Sequence, residues 1–214
     1  METQRSSPSN VREQGYKLAY ELACEQLASM DMEELCSKSG AQYVDFNKIT
    51  IDYLNQSYLI TFPNIEISLK DSEAEVLLKD KILILHYLTL AKGTPATDIL
   101  IAYKQLQGGA SYFPAFSQRT IEPLLNHFGK QPELLIKAAA KLAGHEADYG
   151  DVSVTINAFK RVPVTLALWR GDDEFAPRGS ILFDANISDY LSTEDVNVLC
   201  ETITWKLVKG ISSL

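Results

Sequence analysis

Two neighbouring segments, residues 151–158 and 162–170, alternate between apolar and polar or small residues, and this pattern constrains the fold more than any other. The apolar positions are Val152, Val154, Ile156, Val164, Leu166 and Leu168. Successive side chains of a strand point to opposite faces, so the alternation predicts a β-hairpin with one buried face. Residues 180–184 are predicted to form a third short strand.

A second group of strands is predicted between Ala41 and Leu69. This stretch is rich in β-branched and aromatic residues, which favour strands. Short turns are expected at Asn47-Lys48, Asn55-Gln56 and Pro63-Asn64. The pattern predicts a small antiparallel meander.

The clearest helix is predicted over residues 72–92. Ser72 is the expected N-cap, with Glu75 completing a capping box, and Gly93 is expected just past the C-terminus. The second half of this helix is apolar on nearly every side, which predicts a buried central helix. Other helices are expected over residues 11–30, 32–37, 117–128, 132–142 and 192–209. These elements predict a single α+β domain over residues 11–214, with small antiparallel sheets packed against helices, after a disordered tip at residues 1–10.

Composition restricts the classes of partner. The chain has 214 residues and a formal net charge of −8, which argues against a nucleic-acid partner. The first ten residues lack the apolar core of a signal peptide, and no apolar stretch is long enough to span a membrane. We therefore expect a cytoplasmic protein without a membrane partner. Cys24, Cys36 and Cys200 are too few and too far apart for a disulfide framework or a C-x-x-C site.

The first candidate binding segment is a glycine- and aromatic-rich loop at residues 108–116. Gly109 would let backbone approach a ligand closely, and Tyr112 and Phe116 would offer stacking surfaces. The alternative is a turn covered by core aromatics. Arg119 is expected in the first turn of the next helix, where it would bind a carboxylate or phosphate. Its alternative is an ion pair with a carboxylate such as Asp151 or Asp184.

Two further candidate segments follow. Arg161, beside Pro163 in the predicted hairpin turn, has the same two interpretations as Arg119. In the segment from Trp169 to Phe175, Asp172 and Glu174 follow Trp169 closely. Their carboxylates would be oxygen ligands for a hard cation. The alternative is that the segment is a solvated turn.

The three histidines have no metal-binding spacing, so we assign no metal ligand and no catalytic residue. His86 lies in the apolar helix and is expected to be a hydrogen-bonded core histidine. The alternative is an open histidine that meets a metal centre such as haem or cobalamin.

These motifs, in their order, carry a family resemblance. The stretch from about Lys81 to Leu199 resembles the family known as domain of unknown function 3786, and Asp172 and Glu174 match its Gly-Asp-x-Glu-Phe pattern. The resemblance implies a link to anaerobic bacteria and archaea. It also implies corrinoid and one-carbon chemistry and frequent fusion to a four-cysteine iron–sulfur module. The four cysteines of that module are absent from these 214 residues.

The functional expectation is a cytoplasmic ligand-binding or accessory protein of anaerobic corrinoid or iron–sulfur metabolism, with an iron–sulfur or corrinoid protein as partner. Its pocket would bind a small planar or anionic ligand, and its cofactor is unassigned. The site residues are expected to be Gly109, Tyr112, Phe116, Arg119, Arg161, Trp169, Asp172 and Glu174. The alternatives are a metal-assisted hydrolase that uses Asp151, Asp172 and Glu174, or a pure protein-interaction module.

Overall fold

The computed structural model describes the backbone of residues 8–211 and the side chains of residues 14–211. The expected disordered tip falls mainly on residues 1–7, which lie outside the described residues, and the first helix begins at Pro8. The α-helices are α1 (Pro8–Ala28), α2 (Met32–Ser39), α3 (Leu78–Leu90), α4 (Gly109–Arg119), α5 (Ile121–Phe128), α6 (Glu133–Ala140) and α7 (Thr193–Ile211). The strands are β1 (Gln42–Asp45), β2 (Lys48–Tyr53), β3 (Gln56–Thr61), β4 (Glu66–Leu69), β5 (Leu100–Ala102), β6 (His145–Glu146), β7 (Val152–Phe159), β8 (Val162–Trp169) and β9 (Arg178–Asp184).

The strands form two antiparallel sheets. The first has the order β1-β2-β3-β4 and is the predicted meander. The second has the order β5-β9-β8-β7-β6, with the predicted hairpin β7–β8 and the predicted third strand β9 at its centre. The sheets meet where Leu54, after β2, donates its backbone N–H to the carbonyl oxygen of Ala158 at 2.9 Å. The α+β class is confirmed.

The central helix α3 is buried as predicted, but it begins later than predicted. Ile84, Leu85 and Tyr87 are fully enclosed in the hydrophobic core. The capping box at Ser72 is wrong, because α3 starts at Leu78 and the Ser72 hydroxyl accepts a hydrogen bond from the N–H of Ala74. A cap contributes about 1 kcal/mol. The burial of Val76 in the non-helical segment before α3 contributes about 1.5–3 kcal/mol, which outweighs the cap.

The predicted loop at residues 108–116 is also wrong, because most of it is helix α4. Gly108, at φ 72°, precedes the helix, and Gly109 is its first residue. Gly109 packs so closely on the Tyr103 carbonyl that an added Cβ would lie 1.9 Å from its oxygen. The ring of Phe116 stacks on the ring of Tyr103, with centroids 3.9 Å apart. This tertiary contact stabilises a helix that its glycine and proline content disfavours.

The predicted helix over residues 117–128 is divided, and this changes the position of Arg119. Helix α4 ends at Arg119 and α5 begins at Ile121, so Arg119 lies at the end of one helix and not in the first turn of the next. Thr120 between them has φ −125° and ψ −65°, which lies outside the helical region. Its hydroxyl donates to the Phe116 carbonyl at 2.7 Å. At the end of α4, Arg119 lies beside residues of α7.

Helices α5 and α6 pack against the five-stranded sheet, and α7 packs against α3, α5 and α6. The buried face of α7 includes Leu199, Cys200, Ile203 and Leu207, at the spacing predicted for this helix. Within residues 8–211, no helix has the length and apolar character needed to cross a bilayer.

Candidate functional site

The largest of the three cavities described in the structure lies between α1, α3 and α7. It has a volume of about 840 Å³. Its lining residues are Gly15, Tyr16, Ala19, Lys79, Ile82, Leu83, His86, Arg119, Ser192, Glu194, Asp195, Asn197, Val198, Glu201 and Thr202. The cavity therefore combines an apolar wall from α3 with charged side chains from α3, α4 and α7.

A histidine–carboxylate pair lies in the wall of this cavity. Nδ1 of His86 is 2.7 Å from Oδ1 of Asp195. The other carboxylate oxygen, Oδ2, accepts hydrogen bonds from the N–H of Ser192 at 3.2 Å and from its hydroxyl at 2.6 Å. The side chain of His86 is 32% exposed and that of Asp195 is 10% exposed. Because the carboxylate can only accept, Nδ1 donates to it and Nε2 is the ring nitrogen left for a ligand.

This pair changes the protonation of the imidazole. The hydrogen bond that His86 donates to Asp195 raises the pKa of His86 above its usual value, and the negative charges of Asp195 and Glu194 act in the same direction. Burial opposes the shift, and its effect is smaller than that of the hydrogen bond but larger than that of either charge. His86 therefore keeps its positive charge up to a higher pH than a free histidine does.

Two cationic side chains line the same cavity. Lys79 donates to the hydroxyl of Thr202 at 3.3 Å. Arg119 is exposed and makes no ion pair within the described part of the chain. The carboxylates considered as its structural partners have other donors. Asp151 accepts from the N–H of Arg170 at 2.7 Å, and Asp184 accepts from Thr97, Asp98 and Asn186.

The aromatic segment of the predicted site is divided between the core and the surface. Phe116 is buried against Tyr103, and Gly109 lies in contact with the same residue. Tyr112, on the same helix, is 65% exposed. Phe116 is therefore a core aromatic, which was the alternative for this segment, because the ring of Tyr103 already covers one of its faces.

The acidic segment lies at a second, more open cavity of about 440 Å³, which residues 170–177 line together with Lys130. Oδ1 of Asp172 accepts from the N–H groups of Glu174 at 2.9 Å and Phe175 at 2.7 Å, and these bonds lower the pKa of Asp172. Asp172 therefore holds the turn together. Trp169 lies at the end of β8 beside Gly150. Within residues 14–211, no group of three or more His, Cys, Asp or Glu side chains is arranged to hold a metal ion.

Arg161 connects the β7–β8 turn to α2. Its Nη2 atom donates to the carbonyl oxygen of Ser37 at 3.0 Å. Burial raises the pKa of Tyr190, and the nearby charge of Arg161 acts against that shift.

The predicted site residues are therefore spread over separate places. Arg119 lines the cavity of His86, Asp172 and Glu174 line another cavity, and Arg161 contacts the end of α2.

Of the predicted site residues, Arg119 lines the His86 cavity. His86 was expected to be a core histidine, with a metal-centre role as the alternative, and Ser192 and Asp195 were not considered as site residues. Ser192 and Asp195 have the spacing of a helix start, which explains their position but not their contact with His86. His86 and Asp195 are 109 positions apart. The only local signal was a histidine in an otherwise apolar helix.

The fold and the cavity define an α+β protein with a histidine–carboxylate pair between three helices. The chain belongs to the family described as domain of unknown function (DUF3786), whose sequence profile matches residues 31–205. The match includes His86, Arg119 and Asp195. Searches among curated proteins and among solved structures returned no match.

Proposed function

We propose that this chain is a ligand-binding protein whose cavity between α1, α3 and α7 receives a small molecule with an anionic group. The observation that carries the proposal is the pairing of His86 with Asp195 at 2.7 Å in the wall of that cavity. A carboxylate behind an imidazole orients the ring and leaves the second nitrogen for an external partner.

The charge of the lining supports an anionic group on the ligand. Protonated His86, Lys79 and Arg119 can each donate a hydrogen bond to a carboxylate, and such charge-assisted bonds are stronger than neutral ones. Glu194 and Glu201 line the cavity as well, which disfavours ligands with several negative charges. A small monoanion, or a ligand that also carries a cationic group, fits this balance best.

The same histidine suits a planar metal-containing ligand. Histidines that bind metals through one ring nitrogen usually donate the other N–H to a carboxylate or carbonyl, as His86 does to Asp195. His86 would hold such a group through Nε2, and the group would supply the metal chemistry. The expected role in anaerobic corrinoid or iron–sulfur metabolism, the corrinoid or iron–sulfur protein partner and the cytoplasmic location rest on the family resemblance and the composition, and stay predictions.

Native mass spectrometry of protein purified without oxygen tests the proposal. We expect the wild type to retain a small molecule, and we expect Arg119→Leu to retain much less of it. Arg178→Leu is the matched control, because Arg178 is an exposed arginine at the start of β9, outside the cavity lining. A wild type that carries no bound molecule, or equal retention in all three proteins, would contradict the proposal.

A specific observation also favours the protein-interaction alternative. Strand β1 is an edge of the first sheet, and Tyr43, Val44 and Phe46 at this edge are all exposed, Phe46 to 84%. Unpaired edges with exposed apolar side chains favour association with another chain. Sedimentation velocity over a range of concentrations should then show a larger species for the wild type than for Phe46→Asp. The metal-assisted hydrolase has no comparable support. Asp151 accepts from the backbone N–H of Arg170, just after β8, and Asp172 accepts from the backbone N–H of Glu174 in its own turn.

A further inference from the structure

We infer that His86 is an acid–base catalytic residue, positioned by Asp195, for proton transfer during hydrolysis of a carboxylate-bearing ester in the same cavity. The inference rests on the proposed ligand site, and it adds a chemical step that ligand binding alone does not need. Three observations carry it: the fixed orientation of the ring, the contrast with another histidine of this chain, and the position of Arg119.

The first observation is that hydrogen bonds hold Asp195 through both its side chain and its backbone. Its Oδ2 accepts from the Ser192 hydroxyl at 2.6 Å, and its N–H donates back to the same hydroxyl oxygen at 3.1 Å. This reciprocal pair forms the start of α7, so Asp195 cannot rotate away without breaking the helix cap. In the neutral ring, the carboxylate therefore keeps the proton on Nδ1 and leaves the lone pair on Nε2.

The second observation is a contrast with His127. Nδ1 of His127 also has a hydrogen-bond partner, but this is the backbone carbonyl of Pro123 in the same helix, at 2.8 Å. A neutral carbonyl stabilises the imidazolium much less than a carboxylate does. His86 differs from His127 in two ways: its partner is a carboxylate, and its ring lines a cavity in which Nε2 is available to a bound molecule.

The third observation concerns the charged groups around the imidazole. The cavity lining includes the charged side chains of Lys79 on α3, Arg119 on α4, and Glu194 and Glu201 on α7, and the neutral, titratable phenol of Tyr16 on α1. Arg119 has no ion-pair partner among residues 14–211, so its guanidinium is available for the carboxylate of a substrate. One cavity thus contains a binding group for the substrate and a base for the reaction.

The proposed hydrolysis needs water but no oxidant or reductant. The Nε2 lone pair takes a proton from water while the water oxygen bonds to the ester carbonyl carbon. A lone pair of the water oxygen forms that new bond, and the electrons of the broken O–H bond stay on this oxygen. The π electrons of the carbonyl move onto its own oxygen, and Asp195 stabilises the imidazolium. The tetrahedral intermediate then breaks its C–O bond to the leaving group, and the imidazolium returns the proton to the leaving oxygen. A carboxylic acid and an alcohol or phenol are released.

The experiment uses 4-acetoxybenzoate as the anionic probe and its uncharged methyl ester for comparison. General acid–base catalysis contributes about 10²–10⁴-fold, so His86→Ala should lower kcat/KM by at least about 10²-fold. Added imidazole should restore part of the lost rate. His127→Ala should keep the wild-type rate, and Arg119→Leu should lose the preference for the anionic probe.

Asp195→Asn tests the positioning role separately. The variant should keep a folded structure by circular dichroism, lower kcat more than it raises KM, and shift the rising limb of the pH–rate profile to lower pH. An unshifted profile with wild-type kcat would overturn the role of Asp195. A wild-type rate equal to that of His86→Ala, with either probe, would overturn the inference as a whole.

A binding measurement separates this inference from the proposed function. Saturation-transfer NMR with benzoate should show binding to the wild type and weaker binding to Arg119→Leu. If benzoate binds in this way but hydrolysis does not depend on His86, the ligand site stands and the catalytic inference fails. If benzoate does not bind and the purified protein also retains no small molecule, the proposed function fails.

Discussion

The ring of Tyr87 stacks on the ring of Phe159, with centroids 4.0 Å apart and ring planes 3° apart. Tyr53 of the first sheet stacks on Phe159 as well, at 4.9 Å. The hydroxyl of Tyr87 donates to the carbonyl oxygen of Ser39 at 2.6 Å. This cluster joins α3, the last residue of α2 and both sheets at one point in the core.

Phe159→Ala should therefore destabilise the protein by about 3–5 kcal/mol, because it removes a large buried side chain and leaves a cavity. Phe175→Ala is the matched control, since Phe175 is 66% exposed, and its loss should stay within about 0.5 kcal/mol. Denaturant titration measures both free energies of unfolding. Similar losses for the two variants would show that the aromatic cluster does not hold the sheets together.

The His86–Asp195 pair should make stability depend on pH. The pKa of His86 is raised in the folded protein, so the pair stabilises the fold fully below the unfolded pKa of histidine, about 6.5. That stabilisation is lost as pH rises through the raised folded pKa. The difference in unfolding free energy between wild type and Asp195→Asn should therefore be larger near pH 6 than near pH 9, by denaturant titration at constant ionic strength. A difference that does not change with pH would contradict the raised pKa.

Arg119→Leu should leave the stability of the ligand-free protein within about 0.5 kcal/mol of wild type. The reason is that Arg119 is exposed and forms no ion pair in the part of the chain that the structure describes. Thermal melts at matched salt and near neutral pH measure the change. A loss of several kcal/mol would mean that the substitution leaves a carboxylate without its partner, and would argue against a ligand role.

Arg161→Leu should behave differently and cost about 0.5–1.5 kcal/mol, because its guanidinium donates to the Ser37 carbonyl and connects two elements. Arg178→Leu provides the comparison, since Arg178 is exposed at the start of β9, and its change should remain small. Thermal melts measure the change in stability of both variants. Equal stability of the two variants would show that the contact with Ser37 contributes little.

Much of the fold could be predicted because its strand patterns are local. The alternation around Val154 and Leu166 depends on neighbouring residues only, and these two positions are directly paired in the observed sheet. The meander also has its predicted order. The start of α3 and the helix at residues 109–119 could not be predicted in the same way. They depend on the burial of Val76 and on the stacking of Phe116 on Tyr103, contacts that local propensity does not contain.

The sequence by itself determined the α+β class, the two groups of strands and the burial of the central helix, because each follows from the spacing of apolar residues along a short segment. It also identified Arg119 as a candidate site residue. Only the tertiary structure brought His86 to Asp195, which is 109 positions away, and placed Arg119 at the same cavity. The physical reason is that a contact between side chains on α3 and α7 depends on how those helices pack. That packing is decided by the whole core and leaves no mark in the residues next to either partner.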